Sequence, residues 1–289
     1  WREAASALAE NLPKFEPADA PETTEEDLMV LYPVGDMHLG LLSWAEETGT
    51  NWDLSIAEKV LRQAMAHLVS VTPAAKRAAI VILGDWFHYD SFEPVTPTAR
   101  NLLDADGRYP KLIRAGIRLA RHLIDRARLK HEQVDVIVEV GNHDLSSSIF
   151  LAQCLECVYE NEPRVRVNTS PQWYHYLEFG KNLVGTHHGH GAKVERLPSI
   201  MAADMPEAWG RTRHRVWLLG HIHHRTVREF EGCAVESFNI LAPADAWSSQ
   251  KGYRAKRNMK AIVLHSEWGE VGRHIIDPVR FESKEEKVG

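Results

Sequence analysis

The sequence holds no apolar run close to the roughly 20 residues that a membrane-spanning helix needs. Its amino-terminal residues show no basic-then-apolar signal pattern either. A soluble protein with no membrane partner is expected. Cysteine is scarce: three in 289 residues, an odd number that makes no disulfide framework. Such scarcity favours a reducing compartment, and the cytoplasm is the expected one. Cys154 and Cys157 do form a C-x-x-C, but they lie in the apolar, helix-like stretch Ser148 to Tyr159, and no second pair completes a zinc site. Core packing is their expected role. Positive charge is not in surplus, and the formal net charge of −6 argues against a generic nucleic-acid coat while leaving room for a local basic groove. Internal repeats and low-complexity linkers are absent.

With 44% hydrophobic and 26% charged residues, the chain can bury a large core. One α/β domain is expected over residues 28–289, preceded by an acidic, proline-punctuated extension from Trp1 to Asp27. From Leu28 onward, apolar runs of strand length recur, and each ends at a polar motif. Leu28 to Val34 precedes Asp36-Met37-His38, and Ala79 to Leu83 precedes Gly84-Asp85. Val134 to Val140 precedes Gly141-Asn142-His143-Asp144, Asn182 to Thr186 precedes His187-His188-Gly189, and Val216 to Leu219 precedes Gly220-His221-Ile222-His223. Loops at the carboxyl ends of strands converge on one edge of an α/β sheet, so the motifs are expected to meet.

Helices fill the gaps. Asp53 can cap one that runs to about Val69, and a second over about Tyr109 to Lys130 places Ile113, Ile117, Ala120, Ile124 and Ala127 at helical spacing. Arg114, Arg118, Arg121 and Arg128 form another stripe, read as a solvated face. After His223 the chain looks strand-rich, over Thr226 to Phe230, Cys233 to Ile240, Lys260 to His265 and Gly272 to Val279.

The motifs carry metal-site chemistry. Asp36 and His38 are two apart, so on an extended segment both side chains face one ion; His221 and His223 share that spacing. Asp85 follows a glycine at a strand end and is placed to bridge two metals, while Asn142 offers a neutral carbonyl oxygen. His187 ends its strand and is the preferred further imidazole over His188, which with His190 is left for contacts to substrate or to the ligands themselves. Imidazole with carboxylate and amide oxygen, and no thiolate, suits manganese first, with iron, zinc or magnesium as alternatives. Two divalent ions carry about four positive charges against two from Asp36 and Asp85, a surplus that attracts a phosphate ester. A water shared by two such ions has its pKa lowered for in-line attack. His143 is then the natural general acid, with Asp144 expected to hold its ring. His67, His122, His131, His214 and His265 are read as surface or core packing.

The ordered set D-x-H, G-D, G-N-H-D, H, G-H-x-H resembles the calcineurin-like metallophosphoesterase superfamily over about Leu28 to His223. The resemblance implies an α/β fold of two stacked mixed β-sheets flanked by helices. It assigns Asp36, His38, Asp85 and His223 to one metal and Asp85, Asn142, His187 and His221 to the other, with His143 as acid. The second motif, Gly84-Asp85-Trp86-Phe87-His88, is similar to the G-D-x-F-H of Mre11/SbcD-like DNA repair nucleases, which implies that His88 helps position a nucleic-acid strand.

Trp247 and Tyr253, beside Lys251, Arg254, Lys256, Arg257 and Lys260, combine stacking with phosphate-neutralising charge, as single-strand binders do. Arg211, Arg213, Arg215, Arg225 and Arg228 bracket the last motif. DNA or a related nucleic acid is the expected substrate, and a small-molecule phosphoesterase is the runner-up. A non-catalytic binding module is the third reading, disfavoured by the complete ligand set. The capping domain usual in Mre11-type nucleases has little room after this core, so processing of duplex ends with an ATPase partner is not expected.

Overall fold

The apolar runs become the central strands of two mixed sheets, seen in a computed structural model in which residues 19–281 are described. In the first sheet, β1 (Glu25–Val34), β2 (Ala75–Ile82), β3 (Gln133–Val138) and β4 (Val165–Val167) run parallel. The antiparallel pair β10 (Met259–His265) and β11 (Gly269–Ile276) extends its other edge, giving the order β11-β10-β1-β2-β3-β4. In the second, β6 (Asn182–His187), β7 (His214–Leu219) and β9 (Cys233–Ser237) are parallel. Antiparallel β5 (His175–Phe179) and β8 (Thr226–Phe230) close its edges. Most of the expected extension, residues 1–18, lies outside the described residues, and β1 begins at Glu25 rather than Leu28 because Glu25 pairs with Ala75.

Central parallel strands are buried on both faces, and alternation sorts their side chains between two cores. Met29 and Leu31 of β1, with Ala79 and Val81 of β2, pack between the sheets against Val184 and Leu218. Val30, Tyr32, Ala78 and Ile80 point the other way, into a core shared with three long helices. Seven α-helices are seen among the described residues: α1 (Ala45–Thr48), α2 (Leu54–Val71), α3 (Tyr109–Arg128), α4 (Leu145–Tyr159), α5 (Leu197–Asp204), α6 (Pro206–Arg211) and α7 (Ala246–Gln250). Helices α2, α3 and α4 cover the first sheet, while Leu197, Met201 and Ala208 of α5 and α6 cover the second. The fold is therefore two mixed sheets flanked by helices, as expected.

Asp53 caps α2 as read, its Oδ1 accepting from the Ile56 N–H at 2.7 Å. The arginine stripe of α3 is not a solvated face. Only Arg114 is exposed; Arg118 pairs with Glu58 of α2, Arg121 is buried, and Arg128 is buried against Glu162 at 2.8 Å. Cys154 packs on the core, whereas Cys157 is exposed.

Candidate metal centre

Strands β1, β2 and β3 end side by side, and β6 and β7 do so in the facing sheet, so the five motifs meet at one end of the seam. Alternation along a strand is not what aims them. The strands have already ended, and His38 (φ 43°), Asp85 (φ 45°), His221 (φ 71°) and His223 (φ 56°) all lie in the left-handed region. Arg100 is the one other non-glycine residue there among those described. Each such conformation costs about 1–3 kcal/mol, and its concentration in one place marks loops kept for a function.

Two triads of potential ligands that each include a carboxylate result, Asp36, His38 and His223, and Asp85, His188 and His221, and a third group, His38, His88 and His143, holds imidazoles alone. Asp36 Oδ2 lies 3.0 Å from His223 Nε2, which is 3.1 Å from His38 Nε2. Asp85 Oδ2 sits between the triads, 3.3 Å from His188 Nε2 and 4.0 Å from His38 Nε2. Asn142 Oδ1 lies 3.0 Å from His188 Nε2. Neighbouring donors bound to one ion at about 2.0–2.1 Å stand about 3.0–3.4 Å apart, which the four shorter spacings match.

Backbone contacts hold the carboxylates. The His221 N–H donates to both oxygens of Asp36 (3.1 and 2.9 Å), and the His143 N–H to Asp85 Oδ1 (2.8 Å). Glycines let these segments approach. A Cβ at Gly84 would stand 2.6 Å from His188 Nδ1, and one at Gly141 would stand 2.1 Å from Asp85 N.

Electrostatics also call for a cation. Burial opposes the charge of Asp85, yet His188 and His38 hold its carboxyl well below the ordinary range. Burial likewise opposes a proton on His188, but Asp85 and Asp36 outweigh it and lift that ring to about 10. His38 is pushed well below its usual value by burial and by His143. A proton answers part of the demand of two buried carboxylates, and divalent ions answer more of it.

The expected preference for His187 over His188 is reversed. Val184, Thr186 and His188 follow the seam-facing parity of β6, whereas Leu183 and His187 face the outer layer. His187 stacks on Tyr174 (centroids 4.8 Å apart, 27°), and its Nδ1 accepts from the Gly189 N–H. His188 donates from Nδ1 to Leu83 O at 2.7 Å, which aims Nε2 at Asp85 and Asn142.

Asp144 does not hold the His143 ring. It is fully buried, and its oxygens accept from the Gly141 N–H (3.1 Å) and the Phe87 N–H (3.0 Å), fastening two motif loops together. Burial and Asp85 raise its carboxyl to about 7. His143 instead donates from Nδ1 to the His88 carbonyl at 2.9 Å. His88 itself is buried, its Nδ1 3.3 Å from His38 Nδ1, and burial lowers its ring to about 3. Sequence reasoning missed Asp90, which accepts from the Ser146 and Ser147 N–H groups (2.7 and 2.8 Å) and anchors the start of α4 beside Asn142. Its partners are more than 50 positions away, and no local signal marks it.

A cavity of about 880 Å³ runs from His38, His143 and His223 to Trp247, Tyr253, Arg254 and Lys256. Trp247 and Tyr253 are exposed, with ring centroids 5.9 Å apart. Arg254 is exposed, whereas Arg257 donates to Leu241 O at 2.7 Å and stacks over Trp52, bracing the wall. Lys260 does not belong to this basic surface: it is buried over Phe238, beside Glu236. Of the arginines around the last motif, Arg211, Arg225 and Arg228 pair with Glu178, Glu236 and Glu195, and Arg215 donates to backbone carbonyls. Among the described residues, no helix is long and apolar enough to cross a membrane.

No protein-family model matches this chain, and no curated protein matches it. Solved structures resemble it at low identity. A phosphoesterase from E. coli is 15% identical with a TM-score of 0.41, over 85% of this chain and 98% of that one. An archaeal phosphodiesterase is 13% identical with a TM-score of 0.41, over 86% and 100%. A dimetal phosphatase from Danio rerio is 8% identical with a TM-score of 0.44, over 86% and 98%. At such identities and scores, none of these likenesses carries an activity to this chain.

Proposed function

We propose that the chain is a metallophosphoesterase of the calcineurin-like type, a two-metal phosphodiesterase whose substrate is DNA or a related nucleic acid. The observation that carries the reading is the pair of triads, Asp36, His38, His223 and Asp85, His188, His221, with Asp85 Oδ2 between them. Bound there, two divalent ions, manganese first, supply Lewis acidity and a water of lowered pKa. The protein's own residues do the rest. Asn142 Oδ1 adds a neutral oxygen beside the second triad. His143 commits Nδ1 to the His88 carbonyl, so Nε2 remains to hand a proton to the leaving oxygen. Trp247 and Tyr253 offer faces for bases, with Arg254 and Lys256 beside them for phosphates, in a cavity that reaches His38 and His223 of the first triad, Asn142 and His143.

The cavity itself favours a second reading, a small-molecule phosphodiesterase or phosphatase. At about 880 Å³ it lies in the range of small-ligand sites, and Asp104 and Asp245 line it beside the basic residues. One experiment separates the two: manganese-dependent hydrolysis of bis-p-nitrophenyl phosphate, labelled single- and double-stranded DNA, and cyclic nucleotides, with Asp85→Ala as control. Cleavage of DNA, lost in the variant, supports the nucleic-acid reading. Activity on small esters alone selects the second, and no hydrolysis by the metal-loaded protein overturns both.

A further inference from the structure

We propose that His88 is a positioning residue for His38, setting the ring of a metal ligand rather than contacting substrate; this rests on the two-metal reading above. His38 Nε2 faces the triads, 3.1 Å from His223 Nε2 and 4.0 Å from Asp85 Oδ2. Its Nδ1 therefore points away, and it meets His88 Nδ1 at 3.3 Å, the two rings edge to face with centroids 5.2 Å apart. A neutral imidazole that gives its Nε2 lone pair to an ion carries its proton on Nδ1, and that proton needs an acceptor.

The other triad shows the same arrangement with an ordinary partner. His188 aims Nε2 at Asp85 and donates from Nδ1 to Leu83 O at 2.7 Å. In the first triad His88 Nδ1 stands where that carbonyl stands in the second, and it accepts the His38 proton in the tautomer that carries its own proton on Nε2. The geometry is locked from the backbone too, because the His88 N–H donates to Leu39 O at 3.0 Å. The His88 carbonyl accepts from His143 Nδ1, so one residue fixes both the ligand ring and the acid ring. His88 does line the cavity, but with only 2% of its surface exposed it presents little area to a substrate.

The test compares two amides. Asn at position 88 can place its oxygen where Nδ1 stands and keep an acceptor for His38. Gln carries its amide to the Nε2 position and leaves the His38 proton unpaired. Manganese binding to the chelator-stripped chain is measured by titration calorimetry for wild type, His88→Asn and His88→Gln, with circular dichroism to confirm folding. Two ions bind wild type; Gln weakens one of them by about 10- to 100-fold, and Asn stays near wild type. Equal affinities in all three, or equal losses in both variants, overturn the proposal. A wild-type chain that binds no manganese overturns the two-metal reading instead, so the two failures are distinct.

Discussion

Replacing Gly141 by alanine should dismantle the centre while leaving the fold standing. The added Cβ would lie 2.1 Å from both Asp85 N and Asp85 Oδ1, and 2.7 Å from Asp144 Oδ1. Ordinary contact begins at 3.4 Å, so the neighbours must retreat by about 1.3 Å. They have little freedom to do so. Asp85 N belongs to a loop at the end of β2, Asp85 Oδ1 holds the His143 N–H, and Asp144 Oδ1 holds the N–H of Gly141 itself. Overpacking of this kind costs about 1–3 kcal/mol, and a misplacement of about 1 Å at reacting groups costs about 10²-fold in rate. Gly141→Ala should therefore melt a few degrees lower, bind manganese in reduced stoichiometry, and lose at least about 10²-fold in kcat/KM on bis-p-nitrophenyl phosphate. Gly210→Ala is the matched control, since nothing lies within 4 Å of its added Cβ. A Gly141→Ala protein with unchanged ion stoichiometry and unchanged rate would refute the idea that Asp85 must stand where it does.

Two further outcomes follow from other parts of the structure. Buried His131 donates from Nδ1 to Ala75 O (2.9 Å) and meets Tyr32 Oη at Nε2 (2.9 Å), and burial lowers its ring to about 4. Because the folded value lies below the unfolded value of about 6.5, its stabilising share is complete above that pH and is lost as pH falls toward 4, up to about 3 kcal/mol. Urea unfolding from pH 7 to 4 should show that slope, and His131→Gln should flatten it. Trp247→Ala, removing an exposed ring 5.9 Å from Tyr253, should raise KM for single-stranded DNA by about 5- to 150-fold, from about 1–3 kcal/mol of stacking. Hydrolysis of bis-p-nitrophenyl phosphate should stay as in wild type, and an equal loss on both substrates would remove Trp247 from any strand contact.

Much of the architecture was legible because buried parallel strands write themselves as apolar runs, and the runs before Asp36, Asp85, Asn142, His188 and His221 are all strands. Edge strand β5, His175–Phe179, was not foreseen, since it is short and mostly half-buried. The histidine pair needed knowledge of which face of β6 meets the seam, and an adjacent pair offers both choices. Spacing of two residues groups Asp36 with His38 correctly, but it fails for His221 and His223, which fall in different triads, because left-handed loops rather than extended strands aim all of these rings. The roles of Asp144, Arg128 and Lys260 depend on partners distant in the chain or on a neighbouring loop, so their burial left no local trace.

The seam between the sheets carries one more consequence. Asp36, His38, Asp85 and Asn142 come from the first sheet, while His188, His221 and His223 come from the second. Next to them Glu139, at the end of β3, crosses the same gap and accepts from Thr186 Oγ1 and from His175 Nδ1. Any ion held by both sets of donors is therefore a further cross-link between two layers already joined by the apolar seam and by polar contacts such as Arg273 with Glu236 and Asn182 Nδ2 with His265 O. By linkage, each ion present at 100 times its dissociation constant would add about 2.7 kcal/mol to the docked state. Metal supply would then regulate rigidity as well as chemistry: a starved protein would have a looser second sheet, open to hydrogen exchange and proteases, before it lost its fold.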